Sequence, residues 1–173
     1  MASRPRIAVS SCLLGNPVRY DGTDRFSETI CTHLARQFEI VAVCPEVEAG
    51  LGTPRPPVRL TGNPRHPLAL GVEDASLDVT AALLRFSDSW LAQAKTLSGV
   101  VLKSRSPSCG LRDTPVFDRH GAIRSSGAGL FTRALTRHYP QLPVDDEVSI
   151  ADAKRRNAFI NRVEQYALGR CGS

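Results

Sequence analysis

Several things are missing from this chain. No apolar run approaches the ~20 residues that a membrane-spanning helix needs, and the N-terminus, Met1-Ala2-Ser3-Arg4-Pro5-Arg6, has no apolar stretch of the secretory kind. Aromatic residues make up only 6% of the chain and do not interleave with cations as in proteins that stack successive bases. No Cys-x-x-Cys pair occurs, and His33, His66, His120 and His138 have no ligand-like spacing to the cysteines. Internal repeats and low-complexity segments are absent as well. These absences argue against a membrane protein, a dedicated nucleic-acid binder, a structural zinc module and a repeat architecture. The expected setting is a bacterial-type cytoplasm. Thiols stay reduced there, so the five cysteines are not expected to form a disulfide framework.

A chain of 173 residues, 42% hydrophobic, suffices for one domain with a sizeable core. The net charge of +5 is mild. Its cations are scattered over Arg55, Arg59, Arg65, Lys103, Arg105, Arg112 and the run Lys154-Arg155-Arg156. They read either as a solvated surface or as attraction for an anionic substrate.

Apolar runs at Ile7-Ala8-Val9, Ile40-Val41-Ala42-Val43 and Val100-Val101-Leu102 predict three strands. Between them the spacing predicts helices. One starts near Ser27, with Ile30, Leu34 and Phe38 four residues apart, and another spans about 76–97, with Leu83, Phe86, Trp90, Ala94 and Leu97 on one face. Pro54, Pro56, Pro57, Pro64 and Pro67 argue against any long regular element from Pro45 to Pro67, which reads as a binding loop or lid. A hairpin is expected over 116–123, a helix over about 127–138 and a short strand at 142–144. A last helix is expected from Ser149 to a cap at Gly169, with Ala153, Ile160, Val163 and Ala167 facing inward. This order predicts an α/β, Rossmann-like three-layer domain with a mainly parallel sheet. The whole chain, 1–173, reads as a single domain, with a core of about 5–140 and a C-terminal helical extension of about 149–169.

Cys12, Cys44 and Cys109 each lie just beyond one of the three apolar runs. Ligands of open α/β sheets bind outside the carboxyl ends of the strands, so three distant thiols are expected at one sheet edge. They suit a metal centre with an incomplete protein ligand set, though unrelated buried thiols would also fit. A four-iron cluster usually has four thiolate ligands; with three, one iron stays open, as a catalytic metal requires. Glu46 follows Cys44 closely and is a candidate general base. Its plainer roles are capping a helix or pairing with Arg55. Ser104 is a candidate substrate contact, and Lys103 a candidate for lowering thiol pKa values. Cys31 reads as a packing residue in the first helix, and Cys171 lies near the C-terminus.

At these positions the chain resembles the thiouracil desulfidase family. The resemblance rests on three motifs in order: Ser11-Cys12-Leu13-Leu14-Gly15 with Val18-Arg19-Tyr20-Asp21-Gly22; Cys44-Pro45-Glu46-Val47 with Gly50-Leu51 and Thr53-Pro54-Arg55-Pro56; and Lys103 to Gly110. It covers about residues 7–130. Ala49 and Gly52 stand where glycine and proline are common in that family. The resemblance implies a 4Fe–4S cluster held by Cys12, Cys44 and Cys109, with a fourth, open iron that takes the substrate's sulfur. It also implies a catalytic glutamate at Glu46 and a substrate-contacting serine at Ser104. Asp21, Lys103 and Arg55 are the further candidates for orienting the substrate ring.

The expected reaction is non-redox hydrolysis of the C=S group of a thiolated pyrimidine to C=O, with release of hydrogen sulfide and with water activated by Glu46. The C-terminal stretch from Leu142 to Glu147 is similar to a linking region in longer relatives that carry a second domain and are associated with thiolated RNA. The expected partner is therefore a small thiolated base or nucleotide, of the thiouracil or 4-thiouridine monophosphate type, over tRNA. Two other readings are a cysteine-nucleophile hydrolase centred on Cys109, which needs an activating histidine, and a non-catalytic iron–sulfur redox or ligand-sensing module.

Overall fold

A computed structural model describes residues 3–171, with side chains through Gly169. The N-terminal Met1-Ala2 and the side chain of Cys171 lie outside the described residues. The central sheet is parallel throughout. Its strands are β1 (Arg6–Ser10), β2 (Glu39–Val43), β5 (Gly99–Leu102) and β8 (Val144–Asp146), in the order β2-β1-β5-β8. Register runs Ile7↔Ile40 between β1 and β2, Ala8↔Val100 between β1 and β5, and Val101↔Asp145 between β5 and β8.

Period-2 alternation sorts the strand side chains onto two faces, both buried. Ile7, Val9 and Val101 pack against Ile30 and Leu34 of α1 (residues 28–37), against Phe38 just after it, and against Ile150, Phe159 and Val163. The last three belong to α5 (Glu147–Ala151) and α6 (Ala153–Cys171). Ala8, Val100 and Leu102 face the other way, onto Trp90, Ala94, Phe131 and Leu135. Those residues lie on α3 (Thr80–Ala94) and α4 (Leu130–His138). The result is the expected α/β arrangement of a parallel sheet flanked by helices on both faces.

The proline-rich segment departs from expectation. It contains the short helix α2 (Pro45–Glu48) and the strand β3 (Val58–Thr61), and β4 (Leu68–Gly71) follows it. Prolines flank β3 without entering it, so its N–H groups remain free to pair. With β6 (Thr114–Phe117) and β7 (Ile123–Gly127), these strands form a second sheet, β4-β3-β6-β7. The β6–β7 hairpin was expected; the sheet it joins was not. Pro115 is tolerated in β6 because it pairs only across to β7, opposite Ser126. Leu60, Ala69 and Val116 seat this sheet on Leu83 and Leu130.

Two boundaries also differ. The C-terminal helix is two helices, broken at Asp152, whose backbone is extended at φ −77° and ψ 126°. Gly169 lies within α6 and does not end it; a glycine costs an exposed helix about 1 kcal/mol relative to alanine, too little by itself to stop one. Ala153 is exposed, while Phe159 joins Ile160 and Val163 in the core. No helix among the described residues is long and apolar enough to cross a membrane.

Candidate active site

The chain moves from β1 to β2 on one side, then to β5 on the other. This makes the β1–β5 carboxyl edge a topological switch point. Cys12 sits in the 3-10 turn Ser11–Leu14 that follows β1. Cys44 directly follows β2 and occupies the N-cap of α2. Cys109 lies in the loop after β5. All three thiols line one cavity of about 320 Å³.

The Cys109 loop is rigidly fastened. Ser106 Oγ accepts from the N–H groups of Ser108 (3.2 Å) and Cys109 (3.0 Å), and Thr132 Oγ1 donates to the Cys109 carbonyl (2.8 Å). The first-turn N–H groups of α4, which have no partner within the helix, donate to loop carbonyls: Leu130 to Pro107 and Phe131 to Ser108, both at 3.0 Å. A Cβ at Gly129 would stand 2.4 Å from the Ser108 carbonyl, so only glycine allows this approach.

Burial dominates the thiol electrostatics. It raises the Cys12 pKa to about 11, helped by the nearby Cys44 and opposed by Lys103 and Arg19. Burial also lifts Cys44, against the backbone N–H groups of Val47 and Glu46. Cys109 is pushed well above the usual thiol value by burial, by Cys12 and by Cys44, with a hydrogen bond from Ser10 working the other way.

Among the described residues, no three His, Cys, Asp or Glu side chains are close enough to hold one metal ion. Cys12, Cys44 and Cys109 nevertheless line one cavity. Their donors are soft sulfur, no histidine lines the cavity, and all four histidines are exposed. That donor set suits an iron–sulfur cluster.

Two carboxylates serve this cavity. Glu46 lines it directly. Its Oε2 takes Nε and Nη2 of Arg55, both at 2.8 Å, and its Oε1 accepts from Ser108 Oγ at 2.8 Å. The pair is buried, with side-chain exposures of 12% for Glu46 and 6% for Arg55. Nη1 of Arg55 donates to the carbonyls of Val18 and Gly52, each at 2.9 Å. Arg55, a candidate ring-orienting residue, is thus fully engaged in holding Glu46 and two loops. Capping of α2 falls to Glu48, whose Oε2 accepts from the Cys44 N–H at 2.7 Å.

The second carboxylate, Glu147, was not singled out in the sequence. It forms an ion pair with Lys103 and accepts from both the N–H and the hydroxyl of Ser104, each at 2.7 Å. Burial works against its charge, but the hydrogen bonds from Lys103 and Ser104 outweigh that and hold its pKa below the ordinary range. Lys103 and Ser104 line the cavity; Glu147 does not. Nothing local marks it, because its partners are more than forty residues away. Ser10 and Ser108 also emerge only from the fold, Ser10 through Lys103 N–H at 2.9 Å and through Cys109.

Asp21 is not among the residues that line the cavity. Its carboxylate is exposed and closes a turn, accepting from Thr23 N–H (3.1 Å) and Thr23 Oγ1 (2.6 Å), with Arg19 Nε at 3.7 Å. The Thr23 hydroxyl is the main reason its pKa lies below the usual value. The Asp21-Gly22 pair forms a turn beside Arg19 and Tyr20, which do line the cavity.

Fold and site together define an α/β protein with a thiol-lined pocket at the switch point of a parallel sheet. Within that class the chain belongs to the 2-thiouracil desulfurase family, whose model matches residues 7–147. It is similar in structure to the [4Fe-4S]-dependent thiouracil desulfidase TudS, with a TM-score of 0.67 and 34% identity over 84% of this chain and 93% of that one. It is also 38% identical over 110 residues to the uncharacterized protein YbbK of Bacillus subtilis (strain 168), covering 60% of this chain and 72% of that protein.

Proposed function

We propose that this chain is an iron–sulfur-dependent desulfidase that converts the C=S group of a thiolated pyrimidine to C=O and releases hydrogen sulfide. The observation that carries this reading is the convergence of Cys12, Cys44, Cys109 and Glu46 on one cavity. The three cysteines would hold the 4Fe–4S cluster. When bound, the cluster supplies a Lewis-acidic iron with an affinity for sulfur, suited to polarising a thiocarbonyl.

The chain's own residues do the rest. Glu46 takes a proton from the attacking water at a carboxylate oxygen, and that proton is available to the departing sulfide, so the net reaction consumes one water and no electrons. Arg55 and Ser108 fix the carboxylate so that it keeps one orientation toward the cavity. Ser104 orients the ring, and Lys103 adds positive charge beside the thiols. The cavity is lined further by Arg19, Arg25 and Arg105, which supports a phosphorylated substrate such as 4-thiouridine monophosphate over a free base. One domain suffices for this chemistry, and a reducing bacterial cytoplasm suits free thiols and an exposed iron.

A cysteine-nucleophile hydrolase is disfavoured. No histidine lines the cavity to activate a thiol nucleophile. The test is an anaerobic turnover panel with 2-thiouracil, 4-thiouracil, 4-thiouridine monophosphate and thiolated tRNA. The expected result is sulfide release, fastest with the monophosphate. No sulfide from any of the four would overturn the reading, and preference for the RNA would overturn the substrate assignment.

A further inference from the structure

Ser104 is 7% exposed, lines the cavity, and has a hydroxyl with one proton and two lone pairs. Its proton points to Glu147 Oε1 at 2.7 Å. The Lys103 ammonium stands 3.1 Å away on the same oxygen and can only donate. The same ammonium is tied to Glu147 Oε1 and to the Ser104 carbonyl, and Glu147 Oε2 takes the Ser104 N–H, so the group has little freedom to rearrange. One lone pair remains for the cavity, and with Glu147 ionised the hydroxyl can meet a ligand only as an acceptor.

We propose that Glu147, from behind the cavity wall, sets the hydrogen-bond polarity of Ser104, so that Ser104 recognises the ring N3–H of the pyrimidine. This rests on the thiopyrimidine reading above. N3–H neighbours the thiocarbonyl in both the 2-thio and the 4-thio isomer, and it stays free when N1 carries a ribose. Glu147 is a positioning residue: it does not touch the substrate and acts through Ser104. A pyrimidine methylated at N3 loses the donor, so the site selects against it.

The test uses the anaerobically purified chain and two unreactive ligands, uracil and 3-methyluracil, with binding measured by calorimetry. The wild type is expected to hold uracil at least about tenfold more tightly. In Glu147→Gln the new amide can donate to Ser104 Oγ, which frees the hydroxyl proton to turn toward the cavity. The preference should then fall to within about twofold, with iron content unchanged. Ser104→Ala should lose the preference too, and the double variant should match Ser104→Ala alone.

A Glu147 that merely supports the fold would weaken both ligands equally and leave the ratio unchanged; that result overturns the proposal. Should Glu147→Gln fail to fold, Ser104→Ala decides alone, and a retained preference there is equally fatal. Failure of wild type to bind either ligand also overturns the proposal. Sulfide release from 4-thiouracil without any uracil preference removes this inference and leaves the desulfidase reading. Uracil preference without sulfide release from any thiopyrimidine does the reverse.

Discussion

The two carboxylates beside the cavity are built from the same parts and differ in where they face. Glu46 has a cation, Arg55, and a serine hydroxyl, Ser108; Glu147 has a cation, Lys103, and a serine hydroxyl, Ser104. Glu46 opens onto the thiols, whereas Glu147 sits behind residues that do. Each carboxylate takes three donors, two on one oxygen and one on the other, so the hydrogen-bond count does not separate them. On the proposed roles, access to the cavity, more than composition, is what separates the base from the residue that positions its neighbours.

The largest expected effect comes from breaking the exposed side of this pair. Glu46→Gln should lower kcat by ~10²–10⁴-fold, the usual contribution of a positioned base, with iron content nearly unchanged; the melting temperature should fall, because the exchange removes the charge that Arg55 pairs with. Glu147→Gln should cost clearly less turnover with thiouracil. If Glu147→Gln proves the more damaging of the two, the assigned roles are reversed.

A smaller effect separates the two cations. Arg55→Ala leaves a buried carboxylate unpaired and removes the donor to the Val18 and Gly52 carbonyls. Breaking such a pair costs about 3–5 kcal/mol, which a urea titration reads as a shifted midpoint. Lys103→Ala should cost less, because its pair is more open, at 20% and 17% side-chain exposure. Equal losses would remove the distinction between a buried and a half-buried pair.

The smallest effect is a pH dependence. Glu147 has its pKa lowered in the folded chain, so at mildly acid pH the unfolded chain binds more protons than the folded one. Its stabilising contribution is fully present above the ordinary carboxylate range and is lost as pH falls through the lowered value. The difference in unfolding free energy between wild type and Glu147→Gln should therefore shrink as pH drops from about 6 toward about 3. A difference that stays constant would mean that the charge on Glu147 contributes nothing.

Much of the central layer was legible in the chain. β1 and β5 are continuous apolar runs because both their faces are covered, and such runs stand out without any partner in view. The Leu83–Trp90–Ala94 stripe of α3 was visible for the same reason. The second sheet was not, because its strands are only partly buried and lie among prolines and glycines. Whether β3 pairs depends on β4 and β6, which no local pattern reports. Glu46 and Ser104, which have a motif around them, were legible as candidates, and both line the cavity. Glu147 was not legible, since an acidic residue at the start of a helix looks like an ordinary first-turn carboxylate.

By itself, then, the sequence determined the strand-helix alternation, the three thiols at strand ends, and the family motifs that enclose them. Those follow from short-range periodicity and spacing, which a linear chain carries in full. The tertiary structure alone decided that the thiols share one cavity, that Ser108 fastens Glu46, and that Glu147 backs Ser104. Each of these depends on long-range pairings whose direction is set when buried polar groups must find partners, and that requirement arises only once the chain has closed on itself.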